Sequence, residues 1–99
     1  MKRKNFKQPA NITRWGKWLY NELFEHNITI KEMADKLYVQ SGTVYSWMRD
    51  RQNRVPAYRI VDICAVLANS EEEYRGLIIE ANRNLVNYDF AYRRKKGLK

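Results

Sequence analysis

A chain of 99 residues with one cysteine can bury a single modest core and cannot form an intramolecular disulfide, and its Cys and His show no zinc-ligand spacing. The formal net charge of +8 favours a polyanionic partner. No apolar run approaches the ~18–20 residues that span a bilayer, and the basic start leads into Asn, Gln and Pro rather than a signal-peptide-like apolar segment, so a soluble cytoplasmic protein is expected.

Residues 1–10 carry Lys2, Arg3, Lys4 and Lys7 with no acid and read as a flexible basic arm. Asn11 or Thr13 can cap a first helix running to about His26, with Trp15, Trp18, Leu19 and Leu23 on its inner stripe and Asn27 as a left-handed stop. Thr29 with Glu32 spells a capping box, and Ile28 with Met33 the accompanying hydrophobic staple. Met33, Ala34 and Leu37 then share one face of a second helix. The pattern breaks at Tyr38-Val39 and restarts with Gln40 or Ser41 as the next cap. In this third helix Val44, Trp47 and Met48 point inward, leaving an outer surface that is small at its start and polar along its length.

The Arg-rich connector 50–55 ends at Pro56, which fits the first turn of a fourth helix from Ala57 to about Ala68 whose buried side is Ile60, Ile63, Cys64 and Leu67. Ser70 with Glu73 spells a second capping box, opening a fifth helix over 70–85 with Tyr74, Leu77, Ile78, Ala81 and Leu85 on one face. The stretch 86–92 stays open: Val86, Tyr88, Phe90 and Tyr92 alternate as a strand would, yet Tyr88 and Tyr92 are also one helical turn apart. Residues 89–99 read as a basic C-terminal tail. The expectation is an all-α, five-helix domain over 11–88 between two basic tails, with a helix-turn-helix at 29–50.

Ala34, Leu37, Val39, Val44 and Trp47 resemble the buried signature of a Cro-type, lambda-repressor-like (Xre-family) helix-turn-helix. The resemblance spans roughly Ile12 to Leu67 and is strongest from Thr29 to Trp47. Two positions depart from the pattern. Tyr38 stands in the turn where the family usually has Gly for its freedom at positive φ, and Ile30 stands where the family often has a phosphate-contacting Gln. What the resemblance implies is sequence-specific binding of double-stranded DNA, with the third helix in the major groove. Ser41, Gly42, Tyr45, Ser46 and Arg49 would then meet base edges. Thr29, Lys31, Gln40, Arg51, Asn53, Arg54, Tyr58 and Arg59 would meet phosphates, which set register and affinity without reading sequence. The basic arm resembles family arms that reach around the duplex.

One such helix covers few base pairs, so a homodimer on a palindromic operator is expected, paired through the surplus apolar residues Ile79, Val86, Tyr88 and Phe90. The implied role is transcriptional regulation, with repression by promoter occlusion as the simplest mechanism, at a size that suits a phage or mobile-element regulator. Trp15, Trp18 and Trp47 are assigned to the core rather than to base stacking, because aliphatic neighbours share their spacing. His26 is assigned to a helix end and Cys64 to the core. The sequence shows no nucleophile-base constellation and no phosphate-cradling Gly loop, so neither an enzyme nor a cofactor or small-molecule ligand is expected. Two alternatives stay open. One is a protein-interaction module, inhibitor or antitoxin-like; the other is an architectural protein that coats DNA without sequence preference.

Overall fold

A computed structural model of the chain describes residues 8–49 and 55–95, with side chains as far as Leu85. Within them lie five helices and no strand: α1 (Arg14–Glu25), α2 (Ile30–Leu37), α3 (Ser41–Arg49), α4 (Ala57–Leu67) and α5 (Glu71–Lys95). The all-α, five-helix expectation holds. α1 packs on α3 and α5, α2 on α3 and α4, and α4 on α5. The shared core gathers Trp15, Leu19, Leu23, Met33, Leu37, Val44, Trp47, Met48, Ile60, Ile63, Leu67 and Leu77. Each such apolar side chain contributes about 1.5–3 kcal/mol by leaving water.

Local chemistry fixes the boundaries. Thr13, rather than Asn11, caps α1: its Oγ1 accepts from the Gly16 amide at 3.1 Å. Asn11 instead takes a left-handed conformation, φ 58°, and Asn27 is the left-handed stop expected of it, φ 56°. Behind Asn27 the Ile28 amide donates to the Leu23 carbonyl at 2.9 Å, closing α1 with a Schellman-type turn. The Thr29–Glu32 capping box is complete, with the Glu32 amide donating to Thr29 Oγ1 (3.1 Å) and the Thr29 amide donating to Glu32 Oε1 (2.9 Å). Pro56 precedes α4 rather than sitting in its first turn. Its extended backbone (ψ 148°) makes it the N-cap, and its carbonyl accepts from the Arg59 amide.

The second capping box forms only in part. Glu73 donates its amide to Ser70 Oγ (3.1 Å), but its carboxylate reaches past Ser70 to the Asn69 amide (2.6 Å). The other carboxylate oxygen of Glu73 lies 3.0 Å from His26 Nε2, across the junction between α1 and α5. His26 Nδ1 meets the Glu22 carbonyl at 2.8 Å. With acceptors at both ring nitrogens the imidazole does best with two protons. Burial works to lower its pKa, but the Glu22 carbonyl and the Glu73 carboxylate outweigh that and raise it above 6.5. The same contacts, led by the Asn69 amide, hold the Glu73 carboxyl below its ordinary range. Cys64 is fully buried, and burial pushes its thiol up to about 12, so it behaves as a small apolar residue.

The stretch 86–92, open between strand and helix in the sequence, is helix: α5 continues ten residues beyond Leu85 and takes in the start of the stretch expected as a basic tail. A lone strand in a helical domain would have no ladder for its backbone amides, whereas a helix satisfies them internally. The sequence holds no Gly or Pro between Gly76 and Gly97 to stop it.

Candidate nucleic-acid interface

α2, the turn at 38–40 and α3 form a helix-turn-helix unit. The turn is closed by the Tyr38 amide donating to Asp35 (3.2 Å) and the Val39 amide donating to Ala34 (3.0 Å). This geometry requires a left-handed residue between the helices, and Tyr38 adopts it at φ 59°, ψ 41°. Tyrosine thus takes the conformation for which glycine is the unstrained choice, at a cost of about 1–2 kcal/mol. α3 begins at Ser41, with the Thr43 amide donating to the Gln40 carbonyl (3.0 Å), so Gln40 is the flanking residue and Ser41 belongs to the first turn.

Val44, Trp47 and Met48 are buried and hold α3 to the core. Its other side carries Gly42 and Arg49 exposed, with Ser41, Tyr45 and Ser46 half-buried. At Gly42 an added Cβ would meet nothing within 4 Å, so the start of this face is open to close approach. Toward its end the Arg49 guanidinium lies 5.6 Å from the centre of the Tyr45 ring. That is an i,i+4 cation–π pair, which narrows the range of positions the guanidinium samples.

The orientation of α3 is set from α1 by a contact that reading of the sequence missed. The Thr13 amide donates to the Met48 carbonyl at 2.8 Å, and Thr13 Oγ1 donates to the same oxygen at 3.0 Å while accepting from Gly16. Directly beneath, a Cβ on Gly16 would sit 2.2 Å from that carbonyl oxygen and 2.8 Å from Met48 Cα. Only glycine lets α1 and α3 come this close. The available signal was a glycine inside an apolar helical stripe, tolerated there despite costing about 1 kcal/mol against alanine.

Lys31 and Gln40 are exposed near the two helix starts, and Tyr58 is 66% exposed on α4. The Thr29 hydroxyl is engaged in its capping box. Arg59 is partly committed to the fold: Nη1 donates to the Leu37 carbonyl at 3.1 Å, closing the end of α2, and lies 3.8 Å from Asp62. Ile30, where the resemblance favours Gln, packs against the core instead. Ile79 is 57% exposed on α5. Arg51, Asn53 and Arg54, and the side chains of Val86, Tyr88 and Phe90, lie outside the described residues. Among the described residues no group of His, Cys, Asp and Glu could hold a metal ion, and no helix is long and apolar enough to cross a membrane. Comparison with protein families, with curated proteins and with solved structures gave no match.

Proposed function

We propose that this chain is a lambda-repressor-like, sequence-specific binder of double-stranded DNA that regulates transcription, most simply as a homodimeric repressor on a palindromic operator. The observation that carries the reading is the outer face of α3. It is open at Gly42, hydroxyl-bearing at Ser41 and Ser46, and ends in the Tyr45–Arg49 pair, on a helix pinned to the core by its opposite side. A helix presented in this way fits the B-form major groove, and a guanidinium held in place suits the two acceptors of guanine. The net charge of +8 adds the salt-dependent attraction that DNA binding needs. Ser41, Gly42, Tyr45, Ser46 and Arg49 read bases. Lys31, Gln40 and the connector arginines follow the phosphates, and Ile79 belongs to the face of α5 that pairs two copies.

The deciding experiment is selection from a random-duplex pool with sequencing, at two salt concentrations. Enrichment of a palindrome with half-sites about one turn apart supports the dimeric operator reading. Tight binding that selects nothing and collapses with salt favours the architectural alternative. On the selected site, Arg49→Ala is expected to cost about 1–3 kcal/mol and relax the preference at one base pair, whereas Arg54→Ala weakens all sequences alike.

A further inference from the structure

On the side of the helix-turn-helix formed by the end of α2 and the middle of α4 lies a groove of about 340 Å³. Leu37, Tyr38, Ala65 and Val66 line it, and Lys36 and Asp62 stand at its edge. We propose that this groove is a self-association surface whose occupant is Tyr38 of a second copy of the chain, an interface separate from the α5 face.

Tyr38 motivates the proposal. It holds a left-handed backbone, unfavourable for a bulky residue and imposed by the turn's own hydrogen bonds, and its side chain is 95% exposed, so no packing of the ring within one copy offsets the strain. A projecting ring beside an apolar groove on one and the same patch is what a two-fold interface requires, because each residue there meets its counterpart reciprocally. The charges agree. The patch offers exposed Lys36 and a half-exposed Asp62 carboxylate, so a two-fold pairing sets the lysine of each copy against the aspartate of the other. The patch is small beside the ~1,200 Å² of total surface that stable complexes bury, so the association is weak.

The test is sedimentation equilibrium of the full chain without DNA, which keeps it independent of the proposed DNA binding. Tyr38→Gly removes the ring and relieves the backbone, so it is expected to raise the melting temperature while weakening one association step at least about tenfold, as loss of an aromatic anchor does. Lys36→Asp should weaken the same step, and Lys36→Asp combined with Asp62→Lys should restore it. Ile79→Asp should leave that step in place. A chain that stays monomeric at every concentration overturns the proposal. So does association that neither Tyr38→Gly nor Lys36→Asp alters, which would assign self-association to another face and the groove to a different partner.

Discussion

At its C-terminal end α3 meets backbone that leaves no room for a methyl group, since the Cβ of an alanine at position 16 would stand 2.2 Å from the Met48 carbonyl oxygen. At its N-terminal end a methyl group on Gly42 would meet nothing within 4 Å. The two glycines therefore serve different levels of the molecule. Gly16 serves packing, because it lets α1 approach α3 and fixes the direction in which α3 projects. Gly42 keeps the leading turn of that projection free of bulk, as the proposed base contact would need. The same residue type, costing a helix about the same in propensity at either place, is thus informative only when its surroundings are known.

The sharpest way to break the comparison is Gly16→Ala. Alanine gains about 1 kcal/mol of helix propensity, but the atoms it strikes are backbone and cannot turn aside. A net loss of about 3 kcal/mol or more is expected, at the upper end of overpacking costs, and it should appear as a lower denaturant midpoint at unchanged slope. Equal stability of Gly16→Ala and the parent would mean that the contact between α1 and α3 is looser than described. Thr13→Ala probes the same end more gently. It deletes the cap on α1 and one of two hydrogen bonds to Met48, for about 1–2 kcal/mol. Thr13→Ser keeps the hydroxyl and should recover most of that.

This asymmetry also explains how much the sequence disclosed. Caps and stripes are local, so Asn27, Thr29, Glu32, Val44 and Trp47 disclosed the end of α1, the start of α2, the inward face of α3 and the core they share. The turn residue was legible as an oddity, and its positive φ follows from the Schellman closure whatever the side chain. Three things required the third dimension. Met48 has no sequence feature that names Thr13 as its partner, 35 residues away. Glu73 shares its carboxylate between the Asn69 amide and His26, 47 residues distant, a partner its capping-box pattern does not name. That α5 runs on as helix through 86–95 is something no local alternation of Val86, Tyr88 and Phe90 can report.

At the open end Gly42→Ala separates fold from function. With free space around the new methyl group and an ordinary helical backbone, the fold should gain up to about 1 kcal/mol, a rise of roughly 4–8 °C in melting temperature for a domain of this size. If this face enters a groove, affinity for the selected duplex should fall in the same variant. A more stable protein that binds DNA unchanged would remove Gly42 from the contact surface and leave the reading to Tyr45, Ser46 and Arg49.

The smallest expected effect tests whether the pinned end is insulated from the rest of the domain. α1, which holds α3 through Thr13, is tied at its far end to α5 through His26 and Glu73. The pKa of His26 is raised on folding above 6.5 by the Glu22 carbonyl and the Glu73 carboxylate acting against burial. Its stabilising contribution is therefore complete below about pH 6.5, the pKa of a free histidine, and is lost as pH rises through the folded value. Denaturant midpoints should accordingly decline slightly from pH 6 toward pH 8 in the parent and stay flatter in His26→Gln. Because the junction lies at the opposite end of α1 from Met48, the base preference of the proposed DNA-binding face should stay constant across that range. A preference that shifts with pH in the parent and not in His26→Gln would show that the two ends of α1 move as one lever, and that α3 is steered from the α5 junction as well as from Thr13.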